Sequence, residues 1–451
     1  MTFRFVHTAD LHLDSPLRSL ALRNGVLAET VGVATRAALG GIVDLCLAQR
    51  VDALLIAGDL YDGAQVSMKT AGFLAQELRR LDRAGIATFI IRGNHDAASR
   101  ITRELQLPAS VTVFGTRAHT HHLTVRGTRV ALHGMSFAKP QAPDSLLPHY
   151  PAPVPGAINI GLMHTSLNGS AAHDVYAPCA TADLDAAGYD YWALGHIHKR
   201  AVYRGRATVV MPGIPQGRDI GEAGPKSVTL AEIAPDGRVT LAEHGVASVQ
   251  FDRVEVGLTG CGDWGEVIEA VTGAMRAARR GGTAAHLVVR LVLSGATPLR
   301  WRVQRDLDLL RAEAALAGEE VGSLWLDKIE ATALGGGDAL GLRDGPPDGP
   351  PGGPPGGPPG GPPGGTPDGT PDGLPDDLAR LVLEDLPQDP GVLAEADRAI
   401  AALIQALPPD LRNMLGADAA SVAAARDALL RDGAAAVLAA LAAPAPDGGA
   451  G

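Results

Sequence analysis

The chain has 451 residues, of which 46% are hydrophobic and 4% aromatic, and its formal net charge is −11. That length suits two or three domains with a large core. No apolar run is long enough to span a membrane.

The N-terminus runs straight into a strand pattern with no signal-peptide core. Cys46, Cys179 and Cys261 are scattered and lack a CxxC, so they read as reduced, buried thiols of a cytoplasmic protein. The charge is unevenly spread. Residues 344–451 hold 16 Asp/Glu against 5 Arg, and residues 1–343 hold 34 of each sign. Within the neutral part, residues 270–311 carry eight Arg against Asp306 and Asp308, which predicts a basic patch inside an acidic protein.

Along the chain, short apolar runs each end in polar residues. Phe3–Val6 reads as a strand ending in Thr8-Ala-Asp10-Leu-His12. Residues 28–50 read as a helix, and Ala53–Ala57 as a strand ending in Gly58-Asp59-Leu-Tyr-Asp62. Residues 66–83 place Phe73, Leu74, Leu78 and Leu81 at helical spacing. The strand Ile86–Ile91 leads to Gly93-Asn94-His95-Asp96, where a glycine allows a sharp turn or a close backbone approach. Strands follow at 111–114, 122–126, 129–137 and 157–163, the last closing on His164. Tyr189–Leu194 closes on Gly195-His196-Ile-His198. Ala207–Met211 and a hairpin around Pro235-Asp-Gly237 complete the pattern. Helices early and strands late predict two sheets packed face to face with helices outside.

The domain division read from this pattern is 1–248, a small α/β cap at 249–335, a linker at 336–376 and a helical tail at 377–451. The cap alternates strand, helix, strand, helix, strand, with the second helix at 298–317, and it contains the arginine cluster. Residues 345–376 are eight four-residue units running from GPPD through GPPG to GLPD. A period of four excludes collagen, and such a segment buries nothing, so disorder is expected. As a flexible coil it would span roughly 30 Å. The tail reads as helices around 376–386, 391–406 and 418–442, with Asp376, Pro390 and Ser421 near their starts.

The polar residues at strand ends are Asp10, His12, Asp59, Asn94, His95, His164, His196 and His198. In α/β architectures such ends converge on one edge, where ligands bind. All are O or N donors and none is a thiolate, which suits Mn²⁺, Mg²⁺, Fe²⁺ or Zn²⁺. A carboxylate between two cations offsets their repulsion, and a cation pair about 3.5–4 Å apart activates water and clamps a phosphodiester. On extended strand ends, Asp10 and His12 would share a face, as would His196 and His198.

The motifs DLH, GDLYD, GNHD, the His of GLMHT and GHIH, in this order, resemble the five motifs of calcineurin-like metallophosphoesterases. Asp10–Pro16, Tyr189–His198 and Met211-Pro-Gly through Gln216-Gly-Arg218 are similar to the SbcD-type DNA repair exonucleases, in particular their YhaO-like branch. The similarity covers roughly residues 1–335 and not the linker. It implies a two-sheet αββα sandwich with a small α/β cap, and two divalent metal ions per chain, Mn²⁺ foremost. Asp10, His12, Asp59 and His198 would bind one ion. Asp59, Asn94, His164 and His196 would bind the other. His95 would protonate or stabilise the leaving 3′-oxygen and Asp96 would orient His95. The implied activity is 3′→5′ exonuclease on double-stranded ends with some endonuclease activity, in a homodimer partnered by an SMC-like ATPase of the SbcC or YhaN type. The tail would dock that ATPase. Ile214-Pro215, and Asp219 after Arg218, depart from the family pattern, where Asn and His are expected. That departure touches local phosphate contacts.

Weaker features carry plainer alternatives. His119, His121 and His122 read as a solvated strand end or a third metal site, His7 as a core histidine, and Asp62 as a turn or supporting residue. His173 reads as a loop residue or a substrate contact. Arg218, Arg276, Arg279 and Arg280 are the expected DNA contacts, gripping phosphates without reading sequence, although the last three equally describe a solvated helix face. Two other functions stay open: a phosphodiesterase or phosphatase for a small or protein substrate, and a non-catalytic DNA-binding scaffold.

Overall fold

A computed structural model of the chain describes residues 2–15, 31–62, 67–97, 106–168, 176–336, 378, 380–407, 416 and 418–441. The Pro/Gly repeats, His173 and the first residues of the helix expected at 28–50 lie outside the described residues. Two compact units emerge, one of residues 1–252 and 281–288, the other of 253–280 and 289–451.

In the first unit, strands β1 (Phe3–Thr8), β2 (Ala53–Ala57), β3 (Ala87–Ile91) and β4 (Val111–Val113) run parallel. The hairpin β11 (Ser227–Ile233) and β12 (Val239–Gly245) adds antiparallel to β1, giving the order β12-β11-β1-β2-β3-β4. The second sheet places β6 (Thr128–Gly134), β7 (Ile158–His164), β8 (Tyr191–Gly195) and β10 (Thr208–Met211) parallel, with β5 (His119–Val125) and β9 (Ala201–Arg204) as antiparallel edges.

Strand sequences explain the layering. Ala53–Ala57 is apolar throughout and buried at every position, as a strand covered on both faces must be. The inner faces interdigitate through Phe3, Phe5, Leu55, Phe89, Leu132, Ile160 and Tyr191. On the outer face of the first sheet lie α1 (Ala34–Gln49) and α2 (Met68–Arg83), burying Leu39, Ile42, Leu74 and Leu78 against Val6, Leu54 and Ile56. Ser67 caps α2 by accepting the Thr70 amide at 3.1 Å. Trp192 lies under α3 (Thr181–Ala186), donating to the Leu184 carbonyl at 3.1 Å, on the outer face of the second sheet. Each fully buried side chain of this size contributes about 1.5–3 kcal/mol. The expected two-sheet αββα sandwich is therefore present, and all three cysteines are buried free thiols.

The second unit takes in most of β13 (Val249–Gly257), α4 (Trp264–Gly281), β14 (His286–Thr297), α5 (Arg300–Arg305), α6 (Leu307–Val321) and β15 (Leu324–Gly336), with sheet order β13-β14-β15. The helix expected at 298–317 is two helices. The chain leaves α-helical geometry at Asp306 (φ −100, ψ 28), whose carboxylate is held by Arg305 at 2.8 Å. In the tail, Pro390 opens α7 (Pro390–Ala406) at its first turn, with Asp389 capping the Gly391 and Val392 amides. Ser421 lies in the first turn of α8 (Ala419–Leu441), its amide held by Asp418 at 2.8 Å. The helix α8 lies along α5, and its Leu438 packs on Val382. Among the described residues no helix is long and apolar enough to cross a membrane.

Candidate active site

Parallel pairing brings the C-terminal ends of β1, β2 and β3 to one edge of the first sheet, and those of β7 and β8 to one edge of the second. The two edges meet. His164 Nδ1 lies 2.9 Å from the Ala57 carbonyl, and the His196 amide donates to both Asp10 oxygens at 3.1 and 3.0 Å. Glycines make the meeting possible. A Cβ at Gly58 would strike His164 Nδ1, one at Gly93 would strike Asp59 Oδ1, and one at Gly195 would strike the Ala57 carbonyl. Each of these glycines precedes a residue of the polar cluster: Asp59, Asn94 and His196.

The segments beyond the strands are not extended. Asp10, His12 and Asp59 have φ of 53, 41 and 52, and His196 has φ 101. Left-handed backbone at non-glycine positions is held only where surrounding bonds enforce it, and such strain gathers at functional sites. Here the Asp10, His12 and Leu13 amides donate to the Gly58, Asp59 and Leu60 carbonyls at 2.9, 3.1 and 2.9 Å, zipping the two loops together. The shared face expected for Asp10 and His12 on an extended strand end is thus replaced by two left-handed kinks that aim both inward.

The side chains form two adjoining groups. In one, His12 Nε2 and His198 Nε2 face each other at 3.2 Å, with Asp10 Oδ1 4.0 Å from His198 Nε2 and Asp59 Oδ2 4.0 Å from His12 Nε2. In the other, His164 Nε2 lies 3.0 Å from Asn94 Oδ1 and 3.3 Å from the same Asp59 Oδ2. His196 stands beside this group, its ring centroid 5.2 Å from that of His164. All seven residues expected as ligands therefore meet at the joined sheet edges. Asp10, His12, Asp59 and His164 are buried.

Electrostatics follow from that burial. Burial pushes the His12 imidazole down to about 3 and the Asp10 carboxyl up. Burial alone would raise Asp59 and lower His164, but their mutual attraction wins. Asp59 stays well below the usual carboxylate range and His164 is pushed up to about 9.

His95 borders the first group, its ring 5.0 Å from that of His12. The sequence expectation for Asp96 needs correction. Its buried carboxylate accepts the amides of Leu60, Tyr61 and Gly93 at 3.0, 3.1 and 3.2 Å, so it staples two loops together and does not hold the His95 ring. The partner of His95 is Asp62, with Oδ1 3.1 Å from Nδ1. That hydrogen bond raises the His95 pKa and holds Asp62 well below the carboxylate range. Asp62 is itself fixed by Ser15 Oγ at 2.6 Å.

Arg218 lines the cavity over the site. Its guanidinium is matched by Glu222, with Nη2 2.8 Å from Oε1, so its charge is engaged within the protein. Glu222 went unread in the sequence, yet its Oε1 lies 2.7 Å from His198 Nδ1. The signal was present only as a carboxylate following the Gln216-Gly-Arg218 motif. The departure at Asp219 also has a local role: its side chain accepts the Gly221 amide at 2.7 Å and starts the one-turn 3-10 helix Ile220–Glu222.

The basic patch is only partly offset, because Arg305 and Arg311 pair with the Asp306 and Asp308 already counted and only Asp327 and Glu330 are added. Arg290 pairs with Asp327 at 2.6 Å and Glu330 at 3.2 Å, Arg305 with Asp306 at 2.8 Å, and Arg311 with Asp308 at 2.7 Å. Asp327 and Glu330 come from β15, outside the window whose charges were counted. Arg276 and Arg280 are exposed on α4 and Arg279 is half-buried. His7 is a core histidine, between the Tyr191 hydroxyl and the Leu194 carbonyl at 3.0 Å each. His119 and His121 pack beside Phe114 and Phe89, with ring centroids 4.7 and 5.0 Å apart, and join no metal-binding cluster among the described residues. A cavity of about 840 Å³ opens over the site, lined by Asn94, His95, His196 and His198 and rimmed by Lys199 and Lys226.

Residues 3–200 match the calcineurin-like phosphoesterase family, and residues 251–333 match the middle domain of metallophosphoesterase YhaO. The chain is 31% identical over 297 residues to the uncharacterized metallophosphoesterase YhaO of Bacillus subtilis (strain 168), covering 65% of this chain and 72% of that protein. It is 23% identical over 268 residues to the DNA double-strand break repair protein Mre11 of Methanopyrus kandleri, covering 55% of this chain and 54% of that one. Over 100 residues it is 36% identical to one of the subunits of the nuclease SbcCD from Rhodobacter capsulatus, covering 22% of each chain.

Proposed function

The chain belongs to the calcineurin-like metallophosphoesterases of the YhaO type, and from that premise we propose that it is a metal-dependent DNA exonuclease acting 3′→5′ at double-stranded ends, with some endonuclease activity. The observation that carries this reading is the pair of donor groups meeting on the single carboxylate oxygen Asp59 Oδ2.

The residues fit two divalent cations. Two buried carboxylates, Asp10 and Asp59, sit among imidazoles. The facing Nε2 atoms of His12 and His198 suit a shared cation. In this proposal Asp10, His12, Asp59 and His198 hold one ion. Asp59, Asn94, His164 and His196 hold the other, and Mn²⁺ is the metal. Bound ions would supply Lewis-acid polarisation of the phosphoryl oxygens and water of lowered pKa. Asp59 offsets the repulsion between the two cations. His95, which lines the cavity and is fixed through Nδ1 by Asp62, would give a proton from its other ring nitrogen to the leaving 3′-oxygen. The left-handed turns keep these donors in place before substrate arrives, which is where a rigid site gains over water.

Support for a nucleic-acid substrate comes from the named relatives and from the cavity rim, where Lys199 and Lys226 can meet backbone phosphates. Arg276, Arg279 and Arg280 are the proposed distal phosphate contacts. An SMC-like ATPase of the SbcC or YhaN type, reached through the tail, and a homodimer complete the proposal. One relative is by name a component of SbcCD. The second reading, a phosphodiesterase for a small or protein substrate, draws on the pairing of Arg290, Arg305 and Arg311 with carboxylates, which engages part of the arginine cluster.

End-labelled duplex DNA with Mn²⁺ or EDTA, beside His95→Asn, separates the two. Mn²⁺-dependent shortening that His95→Asn abolishes while still binding metal supports the nuclease. Hydrolysis of cyclic nucleotides with duplex ends untouched, with or without the ATPase, would replace it by the second reading.

A further inference from the structure

We propose that Glu222 is a positioning residue for the metal-binding edge of His198, and that Arg218 braces His198 through Glu222 while lying beside Asp62, the carboxylate that holds His95. This rests on the two-cation reading above and adds the element that sets the affinity of one of the two ions.

The geometry runs in one chain of contacts. Glu222 Oε1 lies 2.7 Å from His198 Nδ1. A carboxylate at that distance accepts, so Nδ1 carries the proton and Nε2 presents its lone pair to Asp10 and His12. Arg218 Nη2 is also 3.3 Å from His198 Nδ1, but both atoms are then donors, so that approach is no hydrogen bond. The guanidinium instead spends its donors on Glu222. Nη2 reaches Oε1 at 2.8 Å, Nε reaches Oε1 and Oε2 at 3.2 and 3.3 Å, and the Arg218 amide reaches Oε2 at 2.8 Å. Its remaining nitrogen, Nη1, lies 3.9 Å from Asp62 Oδ2, the carboxylate that holds His95. One arginine thus stands between two carboxylates, each fixed to a different working histidine. Glu222 ends a 3-10 turn that Asp219 caps through the Gly221 amide, so the brace hangs on a short, internally bonded loop.

The consequence is specific. Among the described contacts, Glu222 meets the ligand set at His198. The group around His164 uses the Ala57 carbonyl for the same purpose, at 2.9 Å from Nδ1. Loss of the Glu222 carboxylate should therefore weaken one ion and spare the other. Removing an outer carboxylate behind a ligating histidine lowers metal affinity about 10–100-fold.

The test is Mn²⁺ titration of the metal-stripped full-length protein, followed by calorimetry and by the electron paramagnetic resonance signal that distinguishes single from spin-coupled Mn²⁺. Native protein, Glu222→Gln, Arg218→Met and the double variant are compared, with apo thermal unfolding as the check on folding. Glu222→Gln is expected to bind one Mn²⁺ as native does and the other about 10–100-fold more weakly, leaving a single-ion signal at intermediate metal. Arg218→Met should weaken the same ion less, and the double variant should be no weaker than Glu222→Gln, because Arg218 acts through Glu222. Two native-like affinities in Glu222→Gln overturn the proposal, as does equal weakening of both ions or strict additivity in the double variant. If Glu222→Gln fails to fold, the Arg218→Met arm decides alone: selective weakening of one ion supports the brace and native affinities refute it. Native protein that binds no pair of ions refutes the two-cation reading itself, a result distinct from all of these.

Discussion

Replacing Asp62 by Asn tests which carboxylate serves His95. The Asp62–His95 contact is 3.1 Å, with the His95 side chain 39% exposed and Asp62 22% exposed. A hydrogen bond to a charged group contributes about 1.5–3 kcal/mol. Solvent at this half-open position screens part of that, so about 1–2 kcal/mol is expected. The bond favours the protonated ring, so its loss lowers the acid-competent fraction of His95, and above the pKa of the ring kcat should fall by about 5–30-fold. The pH profile carries the sign. In the proposed mechanism His95 is the acid and must be protonated, and its bond to Asp62 raises its pKa. Wild-type activity therefore persists to higher pH, and Asp62→Asn should move the alkaline limb towards lower pH. The assay is kcat against pH on a small aryl phosphodiester at saturating Mn²⁺. An unchanged kcat with an unmoved alkaline limb would refute the assignment, and the same shift in Asp96→Asn would return the role to Asp96. The structure predicts otherwise for Asp96→Asn. Its three backbone partners lose a carboxylate, and the expected effect is about 1–3 kcal/mol of stability, read by thermal unfolding.

Three further outcomes follow from the same geometry. Gly93→Ala places a methyl against Asp59 Oδ1 and His164 Nε2, so both ions should weaken together while the strands remain folded; circular dichroism and Mn²⁺ titration read the two effects, and native titration would sink the idea. Burial pushes His7 down to about 3, so the unfolded chain binds a proton that the folded one refuses. Its share of stability is complete above about pH 6.5 and drains by up to about 1.4 kcal/mol per unit as pH falls towards 3. Urea midpoints of the metal-stripped protein should show a flatter acid slope in His7→Gln, and an unchanged slope would place the acid sensitivity elsewhere. Deleting 345–451 should leave hydrolysis of the aryl phosphodiester and abolish co-purification with the ATPase, and a surviving complex would move the docking surface off the tail. Because α8 packs along α5 in the same unit, that deletion should also lower the unfolding temperature.

Much of the site could be read from the chain because each polar motif directly follows an apolar run. Ala53–Ala57 must be a buried strand, so Asp59 must sit at its end, and the same holds for Asn94 after Ile86–Ile91 and for His164 after Ile158–Met163. Parallel strands then gather those ends without further information. The glycines before Asp59, Asn94 and His196 were equally visible, but their purpose was not. Their lack of a Cβ matters because the second sheet arrives there, and sheet-to-sheet distance is a tertiary quantity.

What the sequence by itself determined was therefore the strand pattern, the types of polar side chain at the strand ends and their order. These depend on local apolar periodicity and on side-chain chemistry, which neighbouring residues suffice to set. Pairing between distant side chains was decided only by the fold. Asp96 follows His95 in sequence, yet three backbone amides hold its carboxylate, and Asp62, 33 positions earlier, takes the ring. Arg290 counted as free charge until β15 brought Asp327 beside it. Glu222 became visible as the partner of His198 only when a capped turn set its carboxylate against Nδ1. Hydrogen bonds and ion pairs act over about 3–4 Å of space regardless of separation along the chain, so which donor meets which acceptor is settled by packing.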